Sequence, residues 1–458
     1  MIMSYEFRIV VEKISVASQA VVKRDTIKIY DIKEPKSILD LGLRHEEQIS
    51  ILAKLQNALL AEQSVLIDLG FDICPNCGDK IKKNGFIESK FNAVFSDHKI
   101  RIQKHRCNNP ECNWQSTPTT SSLFGTTIHP DLGKLQSEQG ALYSFRDAQS
   151  NLDKLNCQQR SINNHIQIQH ISNHVGAQLS QENLQAPSKE ECAAPAAELI
   201  AQVDGGHIPT KDKDKRSFEA LAAIVYRPEQ IQEVDNHHRQ ITNKTCVVSA
   251  RDDELATIKT HLLNTAYKQG MTPKTKVTAL ADGAANCWAV ISVLEPHCQT
   301  LDCILDWFHI GKKFQTVKNA LGEAFEEALE RVKWTVWHGN AEEALSKLII
   351  IRDNITAQEK KTKIKGLHEY LHNNLADLVN YEERKARGET FTSQVAESHI
   401  DSLINERHKK KRKMQWSREG AHNILQIRAA MASKEWEKRW QNTVLSALKR
   451  KDKERKIA

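Results

Sequence analysis

Three short apolar runs in this chain each end abruptly in an aspartate, and this pattern restricts the fold more than any other feature. They read Leu199-Ile-Ala-Gln-Val-Asp204, Val277-Thr-Ala-Leu-Ala-Asp282 and Leu301-Asp-Cys-Ile-Leu-Asp306. Runs of this length fit buried strands, and the C-terminal tips of such strands are where open α/β sheets place their chemistry. One aspartate alone would read as a helix cap. Three of them, with Glu397 further on in Val395-Ala-Glu397-Ser-His, point to oxygen ligands gathered for a divalent metal.

The sequence around these runs completes a sheet. Phe218–Tyr226 and Thr245–Ser249 read as second and third strands, expected to be antiparallel neighbours. Asp253 to Gly270 reads as an amphipathic helix, with Asp252 or Asp253 as cap and Gly270 as stop. A second helix runs from Ala285 to Leu294. The resulting order, β-β-β-α-β-α-β-α, is that of an RNase H-like fold. After His309 the pattern turns helical until Glu397 has passed, which predicts an all-helical insertion with Trp334 and Trp337 in its core.

The N-terminal half carries a different signal. Two short strands, near Phe7–Val11 and Thr26–Ile32, precede a helix over 44–69 whose stripe includes Ile49, Leu52, Leu55 and Leu59. Next come Cys74-Pro-Asn-Cys77-Gly and Cys107-Asn-Asn-Pro-Glu-Cys112. Two such turns complete a tetrahedral S4 shell, so Cys74, Cys77, Cys107 and Cys112 are the expected ligands of a structural zinc, with His105 as a possible substitute. Basic stretches between the pairs read as hairpin strands, giving a zinc ribbon. From Asp131 to Leu179 two helices follow, the second starting at Arg160 and rich in Asn, Gln and His. This reads as a helix-turn-helix in which Arg160, Asn163 and Asn164 face DNA.

At 458 residues the chain needs several modules. We divide it into a strand and helix region (1–70), the zinc ribbon (71–125), the helix-turn-helix (130–180) and the RNase H-like core (198–310). The helical insertion (311–390), a C-terminal catalytic helix with the rest of the core (391–440) and a basic tail (441–458) follow. The net charge of +7 is uneven: Lys409, Lys410, Lys411, Arg412 and Lys413 form a basic run suited to a phosphate backbone. Nothing approaches the roughly 20 apolar residues that span a bilayer, and the N-terminus lacks a signal-peptide pattern. A cytoplasmic, nucleoid-associated protein of a bacterium is expected, with the ten cysteines unpaired.

Val203-Asp204-Gly-Gly, Leu280-Ala-Asp282-Gly-Ala, Leu305-Asp306-Trp-Phe-His309, Val395-Ala-Glu397-Ser and Met414-Gln-Trp416-Ser-Arg-Glu-Gly together resemble the bacterial insertion-sequence DDE transposases of the ISKra type. That group is placed with the Mutator-like transposases, which carry a helical insertion. The resemblance covers roughly residues 70–440. The glycines that the group carries around its glutamate are absent from Phe391–Glu397. The resemblance implies Asp204, Asp282 and Glu397 as the acidic triad holding Mg²⁺ or Mn²⁺. It also implies Asp306 and His309 as an additional motif that orients DNA or the triad. The substrates would be double-stranded DNA, namely terminal inverted repeats and target, handled by a homodimer or larger assembly. A non-catalytic DNA-binding regulator and an RNase H-like nuclease are the competing readings.

Overall fold

A computed structural model describes residues 5–67, 72–233, 239–393, 401–410 and 414–445. The chain forms two compact units, Met1–Ile171 with Trp440–Ala458, and Ser172–Arg439.

The first unit opens with a hairpin of β1 (Tyr5–Ile14) and β2 (Val21–Ile32), followed by α1 (His45–Val65). A second hairpin, β3 (Ile81–Asn92) and β4 (Asp97–Cys107), lies between the two cysteine pairs as expected. Its inner face buries Ile100 and Ile102. The stripe on α1 is only partly used: Ile49 is buried, but Leu52, Leu55 and Leu59 are exposed. Then come α2 (Thr120–Phe124), α3 (Pro130–Leu142), α4 (Phe145–Leu155) and α5 (His165–Asn183).

The second unit is built on a five-stranded sheet. Its strands are β5 (Glu198–Pro209), β6 (Ser217–Tyr226), β9 (Thr245–Ser249), β10 (Lys276–Ala281) and β11 (Thr300–Leu305). A small ribbon, β7 (Ile231–Glu233) and β8 (Arg239–Ile241), interrupts them. The sheet order is β11-β10-β5-β6-β9. Strands β5, β10 and β11 run parallel, while β6 is antiparallel to both β5 and β9. Order and directions are those of an RNase H-like sheet. β5 reads as an unbroken apolar run because both of its faces are covered, and Leu199 through Val203 are all buried.

On one face lie α6 (Ala256–Lys268) and α7 (Ala285–Ile291), which bury Ile258, Leu262 and Ala266 against Val203 and Ala279. Each fully buried Leu or Ile there contributes about 1.5–3 kcal/mol. Asp253 accepts the Thr257 N–H at the start of α6, and Gly270 ends the helix at φ +92°. A Cβ at position 270 would lie 2.2 Å from the Ala194 carbonyl oxygen. The open edge of β9 is covered by α13 (Arg418–Ala432), whose Gln426 donates to the Val248 carbonyl and whose His422 accepts the Ala250 N–H.

The insertion is helical, as expected: α8 (Trp307–Leu321), α9 (Glu326–Trp337), α10 (Ala341–Asp353), α11 (Gln358–Asn373) and α12 (Tyr381–Ala386). It has its own core of Phe314, Leu348, Leu367 and Tyr381. Trp337 is buried in it, whereas Trp334 is half exposed at the surface, contrary to expectation for that residue. Tyr370 and Tyr381 fasten the insertion to the sheet, donating to the Asp282 and Leu305 carbonyl oxygens at 2.9 and 2.7 Å.

Candidate active site

Strand register brings the three aspartates into line. Ala281 of β10 pairs with Val203 of β5 on one side and with Leu305 of β11 on the other. The residues that follow are Asp282, Asp204 and Asp306. They therefore occupy equivalent positions at the C-terminal ends of three adjacent parallel strands, where the sheet changes from parallel to antiparallel partners at β5.

The two glycines after Asp204 serve opposite faces of β5. A Cβ on Gly205 would lie 2.7 Å from the Glu219 Oε1 atom, and one on Gly206 would lie 2.8 Å from Ile404 Cγ2. Gly205 thus admits a carboxylate from β6, and Gly206 admits the helical segment Ser402–Lys410. Asp282 begins a tight turn, accepting the Ala284 N–H at 2.9 Å, with Gly283 at φ +93°. Glu219 accepts from Asn286 Nδ2 in the first turn of α7 at 2.6 Å. Beside it, Cys287 has its thiol pKa driven up by burial and then by the charges of Asp282, Asp204 and Glu219.

Glu219 was not among the expected site residues, although a signal existed. It is the one charged residue in the otherwise apolar strand Ser217–Tyr226. Asn286 and Tyr370 were missed as well, since lone residues of these types carry no distinctive spacing.

Asp306 has a different environment from its two neighbours. It is fully buried, and its carboxylate accepts from Phe308 N–H at 3.1 Å, Ser393 N–H at 2.8 Å, Ser393 Oγ–H at 2.5 Å and the His309 ring at 2.7 Å. Burial opposes its charge, yet the bonds from His309 and Ser393 outweigh this and hold the pKa below the usual carboxylate range. With both oxygens occupied, Asp306 caps α8 and clamps the chain at Ser393. As a candidate catalytic group it is corrected to a positioning one, and His309 is held through it.

Glu397 lies outside the described residues, as do Lys411, Arg412 and Lys413. Lys409 and Lys410 are exposed, and Lys410 pairs with Asp401.

Of the residues expected to face DNA from the helix-turn-helix, Arg160 and Asn163 are buried. Arg160 is 4% exposed and donates to the Ala93 and Val94 carbonyls, closing the turn between β3 and β4. Asn163 is fully buried and bonds Gln136. Asn164 accepts the Ile166 and Gln167 N–H groups as the cap of α5. The helix itself starts at His165, and its second half packs on α13, where a Cβ on Gly176 would lie 2.1 Å from the Asn423 carbonyl oxygen. Polarity in this stretch satisfies the interior of the fold.

The four cysteines converge as expected. Their sulfurs all lie within 4.8 Å of one another, with Cys74–Cys112 at 3.7 Å and Cys77–Cys107 at 3.4 Å. A tetrahedral zinc with bonds of about 2.3 Å needs sulfurs about 3.8 Å apart, so the quartet can hold one ion. Gly78, at φ +78°, lets its N–H return to the Cys74 carbonyl and shape the first knuckle. His105 is outside this group.

Sheet order, aligned acids and a cysteine quartet define a mixed α/β protein with an RNase H-like sheet and an N-terminal hairpin whose four cysteines could hold a metal ion. Residues 135–443 match the uncharacterised protein family UPF0236, and the chain belongs to that family. No curated protein matches it. Among the described residues, no helix is long and apolar enough to cross a membrane.

Proposed function

We propose that this protein is a DNA transposase in which Asp204, Asp282 and Glu397 hold divalent metal for strand cleavage and strand transfer. The observation that carries this reading is the register that sets Asp204 and Asp282 side by side on adjacent parallel strands. Chain anchoring supports the third member. Ser393 is bonded to Asp306 and Ile404 packs at Gly206, so the chain on either side of Glu397 is held at the strand ends that bear the other acids.

The donor set is all carboxylate oxygen, which suits Mg²⁺ or Mn²⁺. When bound, such ions activate the attacking hydroxyl and stabilise the leaving oxygen of a phosphodiester. The residues of the chain supply the frame. Gly205 and Gly206 present no side chain beside Asp204, the Asp282 turn is fixed by Ala284 N–H, and Asp306 holds both His309 and Ser393.

Zinc in the cysteine quartet would be structural, because four thiolates leave no position for substrate. The hairpin around it offers a surface for duplex DNA. Exposed Lys90 and Lys99 face each other across β3 and β4, with Lys99 also paired to Glu88, and would add contacts to a phosphate backbone. Lys409 and Lys410 would add backbone contacts. Two DNA ends must be joined in one event, so a homodimer or larger assembly on DNA belongs to the same proposal.

The test is incubation of the protein with a plasmid carrying the DNA that flanks its gene, in Mg²⁺ or Mn²⁺, with Asp282→Asn as comparison. Metal-dependent nicking or excision at defined ends, lost in the variant, is the expected result. Binding without cleavage would replace the reading with a DNA-binding regulator. Cleavage without joining would replace it with a nuclease.

A further inference from the structure

Glu219 occupies a place that neither the aligned aspartates nor their motifs account for. Its Oε1 atom sits over Gly205, the residue next to Asp204, at a distance from an ideal Cβ position that any other residue type would obstruct. Its Oε2 atom accepts from Asn286 Nδ2 at 2.6 Å. Asn286 Oδ1 in turn accepts the Cys287 N–H at 2.9 Å, fixing the amide within the first turn of α7. That turn follows directly from the Asp282 loop, whose Ala284 N–H bonds the Asp282 carboxylate. Glu219 therefore spans from the backbone beside Asp204 to the helix start that carries Asp282.

Such a bridge has a defined consequence. Asp204 lies within β5 and is fixed there by its pairing with Ala222 of β6. Asp282 stands one residue past the end of β10, where the ladder has stopped. A carboxylate beyond its strand needs another tether to keep its separation from a partner on the next strand. We propose that Glu219 is a positioning residue that sets Asp282 relative to Asp204 through Asn286, and so tunes their joint affinity for a divalent cation. This rests on the metal-binding reading of the two aspartates given above.

The test measures Mn²⁺ binding to the full-length protein by calorimetry, without DNA, so that the readout is independent of turnover. Glu219→Ala and Asn286→Ala should each weaken Mn²⁺ binding about tenfold, the scale of partners that orient metal ligands. The double variant should be no worse than either single one, because both changes break the same bridge. Glu219→Gln keeps an oxygen that accepts from Asn286, so it should stay within about threefold of wild type with an unchanged melting temperature. Full loss in Glu219→Gln, equal to that in Asp282→Asn, would overturn positioning in favour of direct ligation. Unchanged affinity in Glu219→Ala, with Asp282→Asn impaired, would remove Glu219 from the site and leave the aspartate reading intact. Unchanged affinity in Asp282→Asn would remove both.

Discussion

Ser393 closes on Asp306 twice, its N–H on one carboxylate oxygen and its hydroxyl on the other. Together with Phe308 N–H and His309, this fills a buried anion with donors from two distant parts of the chain. Removing the anion strands all of them. Asp306→Ala is expected to destabilise the protein by about 3–5 kcal/mol. Ser393→Ala should cost about 1–3 kcal/mol. Chemical denaturation of the singles and the double should show strong non-additivity, and additive losses would contradict the clamp.

His422 is wired as a neutral ring. Its Nδ1 accepts the Ala250 N–H at 3.3 Å and its Nε2 donates to Ser180 Oγ at 2.8 Å. Burial first, then the charges of Arg251 and His261, lower its pKa to about 3. His261 at about 4 and His408 at about 3 are displaced in the same direction, chiefly by burial. A histidine depressed in the folded state adds stability that is complete above its unfolded value near 6.5 and is lost as pH falls toward the folded value. Each contributes a slope of roughly 1.4 kcal/mol per pH unit within that window. Thermal melts should therefore fall between pH 7 and pH 5, and His422→Gln should flatten the dependence. A melting temperature constant over this range would contradict it.

The cysteine quartet makes a stoichiometric prediction. Metal analysis of purified protein should find one zinc per chain, lost in Cys107→Ser. Chelation should also bring faster amide exchange to the ends of β3 and β4 next to the knuckles, because the metal would tie Cys74 and Cys77 to Cys107 and Cys112. Protection unchanged by chelation would mean that the hairpin stands without metal.

Two glycines should respond to alanine in opposite ways. At Gly176 the new Cβ would meet Asn423 backbone, which cannot step aside, so Gly176→Ala should cost about 3 kcal/mol or more. At Gly366, inside α11, the Cβ meets nothing within 4 Å, and Gly366→Ala should stabilise by about 0.5–1 kcal/mol. Comparable denaturation midpoints for the two variants would contradict the packing of α5 on α13.

The sheet was legible because its strands are short apolar runs with a charged residue at the end, a pattern that burial on both faces enforces. The zinc hairpin was legible because knuckle spacing reflects local geometry. Periodicity, by contrast, says that a helix has a face but not what covers it. In the stretch Arg160 to Ile171 the pattern therefore does not tell that Arg160 turns inward to tie a hairpin turn. For the same reason the stripe on α1 does not tell what covers it, and Leu55 and Leu59 are exposed. Asp306 resembled its neighbours in sequence, and only its donors distinguish it. Glu219 acquires meaning through a contact with Asn286 that no local pattern encodes.

Tyr370 and Tyr381 rest their hydroxyls on the very carbonyls where β10 and β11 give way to the acids. The helical insertion is thus a buttress, not cargo. A lineage could vary the outer helices freely, but exchanging the whole insertion with that of a cousin would have to bring both tyrosines with it. Trimming it away to make a smaller protein would unseat Asp282 before it shortened anything useful.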